Sequence, residues 1–176
     1  MKVASRMLTG ALLLAAACAV AQTSVTISNV PITVNIYKGL TLTQNSGLVF
    51  GNIVTSSGGG NAIMSPGGAL SYTGGITSAP GGTPSAATFT VTGTDTQLVN
   101  ILIPSAPVTL NGTGLAGGHT ITATTFTSSG SGGSTNGGQV TLSGATPFGV
   151  GATIGIDPAQ VNGPYGGTFS VTVAYN

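Results

Sequence analysis

Charge is nearly missing from this sequence. Among 176 residues there are three Lys and Arg together, two Asp, one His and no Glu. Trp is absent and Cys occurs once. Without a basic patch, nucleic acid is not an expected partner. A near-neutral surface also offers little charge repulsion against self-association.

The same poverty limits chemistry. One His without Glu cannot build a zinc site. Calcium would have Asp157, Asn162 and main-chain carbonyls, but no D-x-D loop to arrange them. No Gly-rich stretch ends in the Gly-Lys-Ser/Thr that cradles phosphates, so no cofactor is expected. Paired-carboxylate chemistry would need Asp95 and Asp157 facing one substrate. Asp95 sits in Gly93-Thr94-Asp95-Thr96 and Asp157 precedes Pro158, and both read more simply as turn residues. A Ser–His–Asp hydrolase could draw on His119, yet the G-x-S-x-G elbow is missing, and His119 reads as a strand-end residue. An enzyme is therefore not the expected class.

The N-terminus has the layout of an export signal: Lys2 and Arg6, an apolar run from Met7 to Val20, then Ala19-Val20-Ala21 as a cleavage site. The run is shorter than the roughly 20 residues of a spanning helix. Residues 1–21 are thus expected to be removed, leaving a chain from Gln22 that passes through the periplasm to the cell surface or beyond. Lipidation at Cys18 is the alternative, although Ala15-Ala16-Ala17 lacks the usual upstream Leu. Cleavage removes Cys18, so the mature chain can form no disulfide. Lys38 becomes its one basic side chain.

What the chain does contain is Gly, 30 residues of it, with abundant Thr, Ser and Val. Thr and Val favour strands and Gly favours turns. Apolar and polar residues alternate, as in half-buried strands. At Thr168–Tyr175, Phe169, Val171, Val173 and Tyr175 share one face. Ala87–Thr92 points Phe89 and Val91 inward, and Ile32, Val34 and Ile36 alternate in the same way before Leu40 and Leu42. Leu98–Ile103 is more continuously apolar, which suggests burial on both faces. Shorter pairs mark further strands: Val108 and Leu110, Ile121 and Ala123, Val140 and Leu142, Ile154 and Ile156. Asn111-Gly112 and Asn136-Gly137-Gly138 suit tight turns. Gly58-Gly59-Gly60, Ser65–Gly68, Ala79–Ser85 and Ser128–Gly133 read as loops. The expected fold is all-β: one β-sandwich domain, immunoglobulin-like, over 31–176.

A phase slip breaks the first part of this pattern. Val25 and Ile27 are odd-numbered, whereas Val30, Ile32, Val34 and Ile36 are even. A one-residue slip reverses the faces of a strand, and Pro31 cannot donate to a ladder. Either a bulge bends one edge strand here, or residues 22–30 form a separate extension before the domain.

Three stretches carry a family resemblance: Ile36–Leu42 with Leu48-Val49-Phe50-Gly51, then Gly82–Gly93, then Gly163–Tyr175. They resemble a family of bacterial secreted proteins catalogued as a domain of unknown function, whose members often look like fimbrial subunits. The C-terminus is also similar to chaperone–usher pilins, with Tyr175 penultimate and Gly163 fourteenth from the end. That resemblance implies an immunoglobulin-like sandwich lacking one strand, completed by strand addition from the next subunit. It further implies like subunits as partners, with a periplasmic chaperone and an usher. Val25 and Ile27 would lie on the donor strand. Gly163, Phe169, Val171, Val173 and Tyr175 would form the acceptor or chaperone-facing strand. Many such pilins carry a disulfide, which this chain cannot make. The second reading is a monomeric module binding carbohydrate or another surface, with Tyr72 and Tyr165 as loop aromatics.

Overall fold

The computed structural model describes residues 24–133 and 136–176; the expected signal peptide and the first residues after it lie outside this range. The chain divides into two units, residues 1–35 and Ile36–Asn176. In the first, residues 24–35 contain no strand and every one of them is exposed. The strand expected at Ile32–Ile36 is therefore absent. Its alternation is real, but no ladder uses it. Asn29 takes a positive φ of 63°, and this left-handed residue separates the odd-phased Val25 and Ile27 from the even-phased Val30 onward.

The second unit is all-β among the described residues. Eleven strands occur in chain order: β1 (Thr41–Ser46), β2 (Asn52–Met64), β3 (Leu70–Ala79), β4 (Ala87–Thr92), β5 (Leu98–Leu102), β6 (Val108–Gly112), β7 (Thr120–Ser128), β8 (Gln139–Thr141), β9 (Thr146–Ile156), β10 (Tyr165–Gly166) and β11 (Thr172–Tyr175). Eight form one sheet along the path β1-β4-β9-β7-β6-β10, with β2 and β3 branching from β9. The other three form a second sheet, β11-β5-β8. All named pairs are antiparallel.

Alternation in the sequence becomes a buried layer between the sheets. Ala87, Phe89 and Val91 of β4, Val99 and Ile101 of β5, and Phe148 and Val150 of β9 join one cluster with Ile103 and Leu142. The Phe89 and Phe148 rings stack at 5.4 Å. A second cluster lies inside the curl of the large sheet, where Ala62, Ile76, Ile121, Ala123, Ile154 and Ile156 meet.

Several local expectations are corrected. Gly58-Gly59-Gly60 is no loop but the irregular middle of β2, where the register with β3 shifts between Thr55 and Gly60. A Cβ on Gly60 would collide with the Thr73 carbonyl oxygen, so the close pairing with β3 requires glycine. Asn111-Gly112 continues β6, pairing with both β7 and β10; the turn falls later, where Gly114, Gly117 and Gly118 have positive φ. β5 is buried on one face only, with Val99 and Ile101 inward and Leu98 and Leu102 each 42% exposed. The C-terminal strand is shorter than its alternation suggests, beginning at Thr172 rather than Thr168.

Candidate functional site: a free sheet edge and its groove

The immunoglobulin sandwich arranges strands A, B, E and D in one sheet and C, F and G in the other. Here the run β1-β4-β9-β7 occupies A-B-E-D, and the neighbours β5 and β11 occupy C and F in the same chain order. The place of G, on the far side of β11, is taken by no strand among the described residues.

The main chain of β11 is oriented for such a neighbour. Thr172 is opposite Leu102 and Ala174 opposite Asn100, and the amide of Asn176 donates to the carbonyl of Leu98 at 3.0 Å. Hydrogen-bonded pairs recur every second residue in an antiparallel ladder. Residues 172, 174 and 176 thus spend their main-chain groups on β5. Those of Val173 and Tyr175 face the free edge, and Val171 precedes them in the same phase. Their side chains are half-buried against the intersheet core, so burial alternates along this strand as its sequence does.

Beside the edge is a groove of about 450 Å³, lined by Leu42, Leu48, Phe89, Phe126, Phe169 and Val171 among others. Phe126 and Phe169 form its aromatic wall, with ring centroids 5.1 Å apart. β1 ends its own sheet, so the groove lies between two sheet margins. Leu42 of β1 and Val171 before β11 both line it. Water-accessible apolar walls beside unpaired main-chain groups are what an added strand covers.

The C-terminal end of β11 is clasped. Tyr175 Oη donates to the Lys38 carbonyl at 2.6 Å and accepts from the Thr94 amide at 2.8 Å. The Lys38 amide donates to Thr94 Oγ1 at 2.7 Å. The Tyr37 and Tyr175 rings lie 5.3 Å apart. A Cβ on Gly93 would come within 2.5 Å of Tyr175 Oη, so glycine makes room for the hydroxyl. Sequence reasoning marked Tyr175 as an apolar strand residue; its penultimate position gave no sign of the Lys38 and Thr94 partners.

The structure gathers Phe169, Val171, Val173 and Tyr175 along one margin and leaves Gly163 elsewhere. Gly163 precedes β10, with φ 150°, and a Cβ there would stand 2.5 Å from Leu115 Cδ2. The two loop tyrosines prove to be strand residues. Tyr72 is in β3 opposite Ala62. Tyr165 begins β10, where its hydroxyl bonds the Val161 carbonyl at 2.6 Å and Gln160 Nε2 at 2.7 Å. Tyr165 also lines a second cavity, of about 720 Å³, with Phe50, Ile154 and Ile156.

The polar residues weighed for chemistry stand apart. Asp95 accepts from the Gly144 amide at 2.7 Å, a turn contact. The Asp157 carbonyl accepts from the Gln160 amide. His119 lies just before β7, half-buried, with its carbonyl bonded to the Gly112 amide. Among the described residues no three His, Cys, Asp or Glu come together as a metal site would require.

Residues 40–175 match a family described as a domain of unknown function, DUF4402. No curated protein and no solved structure matches the chain.

Proposed function

We propose that this chain, which belongs to the DUF4402 family, is an exported structural or adhesive subunit that assembles with its own kind by β-strand addition. The observation that carries the reading is the outer edge of β11, which no strand among the described residues pairs, with the main-chain groups of Val173 and Tyr175 turned toward it. An exposed sheet margin is a template for pairing, and evolution usually blunts one with charge or a bulge. This one has an apolar groove beside it instead. An incoming strand would satisfy the orphan main-chain groups and fill the groove. Each Val or Ile so buried would contribute about 1.5–3 kcal/mol. A periplasmic chaperone would protect the same edge before assembly, and an usher would conduct the exchange.

The test compares exported protein carrying the full mature chain with a version lacking residues 22–36, by gel filtration, negative-stain microscopy and unheated denaturing gels. Filaments or denaturant-resistant ladders confined to the longer protein support strand addition. A well-folded monomer from both would overturn it.

A second reading draws on the cavity beside Tyr165. A monomeric binding module would use it for a carbohydrate or another surface ligand, with Gln160 and Asn162 among the polar residues that line it. Glycan-array binding lost on Tyr165→Ala and kept on Tyr72→Ala would favour that reading.

A further inference from the structure

We infer that the strand received by the β11 edge is Val30–Ile36 of a second copy of this chain, running antiparallel to β11. This rests on the strand-addition reading and names its occupant, which the sequence alone placed at Val25 and Ile27.

Four observations converge on the segment. First, exposure: Val30, Ile32, Val34 and Ile36 are 66%, 96%, 78% and 86% accessible. Isolated apolar residues on a surface mean little, but four at alternate positions would share one face of a strand. Second, phase: the intervening residues are Pro31, Thr33 and Asn35, so one side is wholly apolar and the other suits solvent. Third, the boundary: Asn29 takes a left-handed φ of 63°, and Val25 and Ile27 are in the opposite phase, so they do not continue the same face. They supply two side chains where the later stretch supplies four. Fourth, reach: seven extended residues span about 23 Å, comparable with Phe169–Tyr175, which also has seven.

Pro31 sets the direction. On β11 the residues with main-chain groups facing the free edge are also those with side chains turned to the core: Val173 and Tyr175. In an antiparallel ladder, residues directly opposite share both properties. The incoming Val30, Ile32, Val34 and Ile36 would then bond β11, while Pro31, Thr33 and Asn35 face away. The missing amide of Pro31 costs nothing there. In a parallel ladder the bonding set of the newcomer is the other one, and Pro31 would forfeit a bond.

The same geometry selects a second copy over the chain's own segment. Lys38 is held at the Tyr175 end of β11 by the Tyr175 hydroxyl. Residues 30–36 of that same chain could lie along the edge only by running back from Tyr175 toward Val171. Their N-to-C direction would then match that of β11, which is the parallel arrangement that Pro31 disfavours. A copy arriving from elsewhere has no such tether.

The experiment uses the full exported chain and reads denaturant-resistant ladders on unheated gels. Ile32→Asp/Val34→Asp should abolish the ladder, and Val25→Asp/Ile27→Asp should leave it. Ladders lost in the second variant and kept in the first would overturn the assignment while leaving strand addition standing; absence of ladders from the unaltered chain would overturn strand addition itself. Cysteine pairs then report direction, since bonded partners about 5.5 Å apart admit a disulfide. In mixtures of single-cysteine chains, Ile36→Cys should cross-link with Phe169→Cys, and Val30→Cys with Val173→Cys or Tyr175→Cys. The reverse pattern would overturn the antiparallel direction. A disulfide formed within one chain carrying both Val34→Cys and Val171→Cys, in a monomeric fraction, would overturn the second copy as occupant.

Discussion

Tyr175 shows how much a single residue holds in a protein with so few polar side chains of length. Its ring packs against the intersheet core, and its hydroxyl ties the chain at Lys38 and at Thr94. Tyr175→Phe keeps the ring and removes both bonds. At 0.5–1.5 kcal/mol net for each bond, the expected loss is about 1–3 kcal/mol, read as a lower urea midpoint with an unchanged m-value. Gly60→Ala tests a different kind of constraint. Its Cβ would meet the Thr73 carbonyl oxygen on the neighbouring strand, and backbone has no rotamer to escape into. A destabilisation of about 1–3 kcal/mol is expected in the same titration. Neither effect was legible in the sequence. Gly58-Gly59-Gly60 looked like a loop because glycine permits turns, and only the proximity of β3 shows that here it permits contact. Tyr175 looked like one more inward residue, because alternation specifies a face and not the partner of a hydroxyl.

Strands were more readable than turns. Period-2 patterns located β4, β6, β7 and β9 because each packs one face on a core, which imposes the pattern. Ile101 tests that packing: it is 0% exposed within the intersheet cluster, and Ile101→Ala should cost about 2–5 kcal/mol, measured by equilibrium unfolding. β5 was misjudged for a definable reason. Leu98 and Leu102 are apolar yet 42% exposed, and a run of apolar residues does not distinguish two buried faces from one. Val30–Ile36 is the reverse case. Its alternation is as regular as that of any strand here, and the structure leaves it without a ladder. Pattern declares that a face needs covering; it does not say which molecule covers it. The candidate edge was half-legible in the same way: Phe169, Val171, Val173 and Tyr175 could be placed on one face from sequence, whereas their unpaired main chain required the order of the sheets.

For the molecule as a whole, scarcity of charge has a measurable consequence. The proposed assembly would rest on apolar contact and main-chain bonding, with Lys38, Asp95 and Asp157 as the only Lys, Arg, Asp or Glu in residues 22–176. Screening weakens interactions between exposed charges and has little to act on here. Ladder yield should therefore change less than about twofold between about 0.05 M and 1 M sodium chloride on the same unheated gels. A steep salt dependence would point to a charged partner surface that the composition does not provide.

The clasp at Lys38 also has a mechanical meaning. A pull on the chain at residue 36 reaches Lys38 before it reaches β1, and there it divides. One branch passes through the Tyr175 hydroxyl into the end of β11; the other continues along the backbone into the β1–β4 ladder, which belongs to the opposite sheet. Tension entering at this point would thus be borne by both layers of the sandwich at once, and Tyr175 would act as a strain relief protecting the first strand from being peeled away alone.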